Sequence, residues 1–226
     1  MGLVGFGLGM VISPALLLFL EPQTVVIAIN SLSIPILSLV LYQTRTSIQV
    51  RAVTPLAIGG VAAVPVGVLI LSSASPTILR ITIGAMILAL VVPLGLNIQR
   101  PLARFPTVSP VFGFVGSMLV TGLGVGAPLV ALFLVNQRWS AHAIRSGIAL
   151  YYLAVGSFAT VLYIGTGLYT LERLWSVLTV APAALLGVGV ASVLVRRLDD
   201  RLLRRVVLAV VVVASLALLA REISRL

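Results

Sequence analysis

Eight apolar stretches, most of them about as long as a bilayer is thick, take up nearly all of this 226-residue chain. They are Gly2–Leu20, Val25–Tyr42, Val53–Leu71, Ile78–Asn97, Val111–Val135, Ala141–Gly165, Leu174–Val195 and Val206–Ala220. A spanning helix needs about 20 predominantly apolar residues. Lipid gives backbone amides no partner, so a helix must satisfy them within itself. The chain is 60% hydrophobic and 9% charged. A soluble core of this size cannot hide that much apolar surface, and the chain reads as an all-α polytopic membrane protein.

The net charge of +10 would suit a nucleic-acid binder, but its distribution does not. Every cation is an arginine, and the arginines sit in the short polar breaks between apolar stretches or at the ends of those stretches, as membrane orientation requires. No nucleic-acid partner is expected. With no cysteine there is no disulfide and no thiolate chemistry. Glu21, Glu172, Asp199, Asp200 and Glu222 all lie in or beside loops, so the intramembrane carboxylate of a proton relay is missing. No Ser/His, His/Glu or paired-carboxylate set shares one depth, and no phosphate-binding loop occurs. The chain is expected to be no enzyme and to need no cofactor or metal. The N-terminus lacks a basic n-region, so no cleavable signal peptide is expected.

Two glycine-rich tracts that end in proline stand at matching places in the two halves. They read Gly7-Leu8-Gly9-Met10-Val11-Ile12-Ser13-Pro14 and Gly122-Leu123-Gly124-Val125-Gly126-Ala127-Pro128. A similar apolar run follows each proline, Ala15–Leu20 and Leu129–Leu134. Further matches keep the same order. Asn30-Ser31 pairs with Arg145-Ser146, Ala52–Gly60 with Leu178–Gly187, and Ser75–Arg80 with Asp200–Arg204. The chain therefore divides into repeat one over 1–98, a linker over 99–110 and repeat two over 111–226.

Charge chooses between two topologies. If all eight stretches span, the arginines divide eight against seven, which gives no orientation bias. If each glycine–proline tract is instead a re-entrant hairpin, eleven fall on one side. These are Arg45, Arg51, Arg100, Arg104, Arg138, Arg145, Arg196, Arg197, Arg201, Arg204 and Arg205, against Arg80, Arg173, Arg221 and Arg225. Each half then holds a broken hairpin and three transmembrane helices. Three crossings are odd, so the repeats have inverted topology. The expected address is the inner membrane of a prokaryotic cell, with the basic loops in the cytosol and both termini outside. Eight plain spans, arranged four and four and packed through glycine, are the alternative.

A hairpin places chemistry at its tip. Pro14 and Pro128 suit a helix start, where no amide donor is needed. The free N–H groups and positive dipole end behind each proline would then face a small anion. Gly9, Gly122, Gly124 and Gly126 would allow close backbone approach, or else serve as packing notches between helices. Ser13, Asn30, Ser31, Ser33, Thr121, Ser146 and Tyr151 are candidate hydrogen-bonding residues, with bonding to their own helices as the competing role. Arg145 is the candidate anion anchor, with interfacial snorkelling as its competing role. His142, the single histidine, belongs to the headgroup region or to a titrating cycle. The expected partners are a small anionic substrate, the lipid bilayer and, in a homodimer, a second copy.

A four-segment repeat opened by a glycine-rich tract ending in proline, followed by a Pro/Gly-rich helix and a closing helix begun by Leu and Arg, resembles the TauE/SafE sulfite/sulfonate exporter family. The segments that carry the resemblance are Gly2–Leu20 with Thr54–Leu96, and Gly113–Leu134 with Ala181–Leu219. The chain departs from the family pattern in lacking consecutive glycines before each proline. The resemblance implies outward transport of small sulfur oxyanions or sulfonates such as sulfoacetate, by alternating access at a midplane site between the repeats. The residues alone leave open an anion channel, or a permease subunit of a larger complex for another anion.

Overall fold

The computed structural model describes residues 13, 16–95, 108–137, 139–179, 182 and 200–224, with the backbone alone at 91–95, 136 and 200–208. Among the described residues there is helix and no strand. The helices are α1 (Pro22–Gln43), α2 (Val50–Ser73), α3 (Pro76–Gly95), α4 (Ser109–Leu123), α5 (Ala127–Asn136), α6 (Ala141–Gly165) and α7 (Asp200–Ile223). A 3₁₀ turn, Arg45–Ser47, precedes α2, and residues 171–179 are helical. Pro14, Gly9, residues 96–107 of the linker region, Arg138 and most of 180–199 lie outside the described residues.

Three of these helices, α1, α2 and α6, are long and apolar enough to cross a membrane. Their outward faces keep large apolar side chains uncovered, among them Leu39, Ile58, Leu69, Val161 and Ile164. Scattered apolar exposure is ordinary on a soluble protein, but whole helical faces of it need lipid or a partner. The chain is a membrane-embedded helical protein.

The bundle is built on the pairing of α2 with α4. A Cβ added to Gly59 would fall on the Pro110 carbonyl, and one added to Gly113 would fall on the Leu56 carbonyl. Further along, Gly67 lies against Thr121 and Gly122. These contacts keep the same order along both helices, so α2 and α4 run parallel. Small residues recur at four-residue spacing on α2 (Gly59, Ala63, Gly67) and on α4 (Gly113, Ser117, Thr121). In lipid no hydrophobic force draws helices together, so close backbone approach through small residues has to supply the attraction.

Helix α6 lies along both members of that pair. Gly147 packs on Val53, Gly60 on Tyr151 and Val155, and the Tyr151 and Tyr163 hydroxyls donate to the Gly113 and Thr121 carbonyls, each at 2.6 Å. Helix α1 runs the opposite way beside α6, because Ile34 meets Gly156 while Asn30 meets Tyr163. Helix α7 likewise opposes α3, with Gly84 beside Leu219 and Arg80 paired to Glu222.

These directions define two ends. The first holds the turn between α1 and α2, the start of α4, the 137–140 connection and the start of α7. Arg45, Arg51, Arg145, Arg201, Arg204 and Arg205 lie there. The opposite end holds residues 18–21, the α2–α3 turn, residues 166–173 and the end of α7. Its described arginines, Arg80, Arg173 and Arg221, are all engaged, and Arg225 lies outside the described residues. Arg80 pairs with Glu222 at 3.3 Å and Arg173 with Glu21 at 3.6 Å, while Arg221 donates to the Leu18 carbonyl.

The Arg80–Glu222 pair yields a stability prediction. Arg80→Ala would leave the Glu222 carboxylate, 4% exposed, without its cation. The expected cost is about 2–3 kcal/mol, less than the roughly 3–5 of a fully buried pair because Arg80 is part-exposed. A thermal melt in detergent measures it. Joint replacement of both residues by Met should recover most of the loss, and failure to recover would assign the effect to packing instead.

Candidate functional site: a helix turn beside a buried serine

The stretch Val111–Val135 is two helices, not one span. At the end of α4, Gly124 takes a left-handed conformation (φ 74°), which a glycine adopts at no steric cost. That turn brings the Val125 amide back to the Leu119 carbonyl at 3.2 Å. The chain then reverses. Gly126 lies against the backbone of Gly116, Val130 against Gly116, and the Phe133 ring stacks on Phe112 with centroids 5.0 Å apart. Helix α5 therefore returns antiparallel to α4 and delivers Asn136 near the level where α4 began.

The start of α5 has no cap. Gly126 is its N-cap residue, and among the described residues no side chain bonds the free amides there. By contrast α6 begins under the Ser140 hydroxyl, which accepts from the Ala143 amide at 3.2 Å. Pro128 is the second residue of α5, one place further in than a first-position proline; the second amide is equally orphaned, so nothing is lost. The amides of Gly126, Ala127 and Leu129 have no intrahelical acceptor by geometry. Gly126 is buried with the turn, and Ala127 and Leu129 are half-buried.

One further polar group stands at this turn. Ser13 is 1% exposed, and its Oγ lies 3.8 Å from where a Gly124 side chain would begin. That hydroxyl has no hydrogen-bond partner among the described residues. Val26 and Ile29 of α1 approach the same point, at 3.5 and 3.7 Å. Buried hydroxyls are nearly always paired, so the Ser13 hydroxyl, at the turn that leads into the uncapped α5, is a candidate ligand contact. Ser13 belongs to the first glycine–proline tract and Gly124 to the second, so the two tracts meet here.

The other candidate residues divide by position. Asn30 adjoins the turn; its amide donates to the Val26 carbonyl at 3.0 Å and reaches the Val120 carbonyl and Tyr163 hydroxyl at 3.4 and 3.5 Å. Ser31 bonds the Ile27 carbonyl and the Tyr169 hydroxyl, which fastens the connection after α6. Thr121 is fully buried, donating to Ser117 of its own helix and packed on Gly67. Gly122 and Gly126 are close-approach positions against Gly67 and Gly116. Arg145 and Ser146 are not brought to the turn, whereas the Tyr151 hydroxyl lies 3.4 Å from where a side chain on Gly116, the residue that Gly126 packs against, would begin. Ser146 bonds the Ser47 and Ala143 carbonyls, and Tyr151 bonds Gly113. Arg145 lies about 27 Å along α6 from Tyr163 by helical rise, at the arginine end with exposed His142.

The sequence reading missed a set of hydroxyls along α4 and α6. The Oγ atoms of Ser109 and Ser117 and the hydroxyl of Tyr152 are buried without partners among the described residues. Ser109, Gly113, Ser117 and Thr121 recur every fourth residue on one face of α4. That spacing was available in the sequence as a polar stripe on an apolar helix.

The family described as Sulfite exporter TauE/SafE matches residues 1–218 of the chain. No curated protein and no solved structure matches it. The match runs through both glycine–proline tracts and reaches α7, so the chain belongs to the sulfite exporter TauE/SafE family of membrane transporters.

Proposed function

We propose that this protein exports small sulfur-containing anions, sulfite and sulfonates, by alternating access. Its substrate site is the turn formed by Ser13, Gly124 and the amides that open α5. The observation that carries this reading is the buried Ser13 hydroxyl, without a partner among the described residues, against Gly124 two residues before the uncapped start of α5. A helix N-terminus attracts anions through free amides and the positive end of the dipole. Asn30 shapes the wall, with Val26 and Ile29.

Two inverted repeats are supported by the opposed directions of α1 and α6 and of α3 and α7, the elements that correspond between the halves. Hairpin re-entry is supported by the antiparallel return of α5 along α4. With the arginine-rich end in the cytosol, as the positive-inside rule requires, the substrate enters from that end. An anion leaving a negatively charged interior gains about 2.3 kcal/mol per charge per 100 mV. Export can therefore run downhill without a coupling ion, which agrees with the lack of acidic residues deep in the apolar stretches.

Flux from liposomes loaded with sulfite or sulfoacetate, against acetate and formate, tests the activity. Saturable release of the sulfur anions, absent from protein-free vesicles, is the expected result; equal release of carboxylates would remove the substrate assignment. Topology has its own test. Single cysteines at Ser109 and Asn136, in a chain with no native cysteine, are expected to react from the same face of the membrane. Labelling from opposite faces would make α4 and α5 one crossing.

A further inference from the structure

Three helices that reach the turn between α4 and α5 are tied together again about one helical turn farther along. Val26 of α1 approaches Gly124, Gly67 of α2 lies against Gly122, and Tyr163 of α6 donates to the Thr121 carbonyl. Toward the end opposite the arginine-rich one, Gln23 stands about 4.5 Å along α1 from Val26, and Leu71 about 6 Å along α2 from Gly67. The Gln23 side chain bridges their neighbours. Its Nε2 donates to the Leu71 carbonyl at 3.0 Å, and its Oε1 accepts from the Arg173 guanidinium. Arg173 also donates to the carbonyl of buried Leu168, in the connection that leaves α6, at 2.9 Å, and pairs with Glu21 at 3.6 Å. One glutamine and one arginine thus hold α1, α2 and the end of α6 against one another.

Resting on the reading of the turn as the substrate site of an alternating-access exporter, we propose that Arg173 and Gln23 latch its outer gate. Opening at that end requires the three elements to part, and the latch keeps them together. The chain beside it is fit to move. Gly167 takes a left-handed conformation (φ 71°), and a side chain there would meet nothing within 4 Å among the described residues. Such a position absorbs a change of backbone angle without a clash. Tyr169 carries the motion toward the turn, since its hydroxyl shares a hydrogen bond of 2.6 Å with Ser31, the neighbour of Asn30. The charges also suit a contact that breaks. The Arg173 and Glu21 side chains are 18% and 67% exposed, so water takes over when they separate and no buried charge is stranded. Glu222, 4% exposed against Arg80, has no such release, which makes that pair a staple.

Thiol reactivity of the full chain in detergent tests the latch without a substrate. The chain has no native cysteine. Val26→Cys, fully buried beside Gly124, reports on the turn, and Ala143→Cys, buried at the start of α6, reports on the arginine-rich end. A buried thiol reacts only from the open fraction of the protein. Arg173→Ala and Gln23→Leu should each speed labelling at position 26 by about tenfold or more, because a hydrogen bond to a charged group no longer opposes opening. Labelling at position 143 should stay level or fall. Unchanged labelling at 26, or equal acceleration at both positions from general loosening, would overturn the latch. Bridging is the second measurement. Gln23→Cys with Arg173→Cys, joined by a bis-maleimide, should lower sulfite flux from liposomes by about tenfold or more relative to the same protein before bridging; undiminished flux would also overturn the latch. These results leave the export reading standing. An unmodified protein that moves no sulfur anion would remove the export reading itself, and this inference with it.

Discussion

Gly113→Leu is expected to abolish the folded protein, while Gly165→Leu, in the same bundle, leaves it intact. At Gly113 even a methyl group would occupy the place of the Leu56 carbonyl, and Gly60 leaves no room on the other side. The obstacle is backbone in the middle of the parallel α2–α4 pair, so no rotamer change relieves it. Overpacking of a core ordinarily costs about 1–3 kcal/mol. Gly113→Ala should sit at the top of that range, and leucine should exceed what a marginally stable protein can bear. At Gly165 an added Cβ meets nothing within 4 Å. The measurements are the yield of monodisperse protein in detergent and its melting temperature. A well-folded Gly113→Leu protein would show that the close approach of α2 and α4 is not what holds the bundle.

The second large effect is functional, and stability should not follow it. Ser13→Ala is expected to weaken binding of a sulfonate by about tenfold or more, the worth of one hydrogen bond to a charged group. The melting temperature of the empty protein should stay level or rise. Structural serines behave otherwise, because their removal strands a partner. Ser13 has no partner to strand among the described residues, so alanine removes only an unsatisfied hydroxyl. Thr160→Ala serves as the control, since that hydroxyl bonds the Gly156 carbonyl of its own helix at 2.9 Å. Unchanged affinity in Ser13→Ala would take the hydroxyl out of the site. Lost stability would mean that it has a structural partner.

How much was legible varied with the range of the physics involved. The apolar stretches declared a membrane protein, since hydropathy over about 20 residues is a local property. The break within Val111–Val135 was equally local, as Gly124 and Pro128 announce a left-handed turn and a helix start. Boundaries moved by only a few residues: the stretch Val25–Tyr42 became a helix over Pro22–Gln43. The partners of the polar residues were another matter. Nothing along the chain says that the Tyr151 hydroxyl ends on Gly113, or that Ser146 bonds the turn before α2. Arg145 and Asn30, matched by order in the repeats, sit at different depths because α1 and α6 run in opposite directions.

The sequence alone determined that the chain lives in lipid, that Val111–Val135 breaks into two helices, and that no charge accompanies that break. Each of these follows from composition within a window or from the backbone freedom of single residues. Only the tertiary structure decided that Ser13 meets Gly124, that Gly126 and Gly122 serve packing, and that Arg145 stands a helix length from the turn. Those facts depend on how closely separate helices approach and in which direction each runs. That is set by the fit of glycine notches to carbonyls more than fifty residues away.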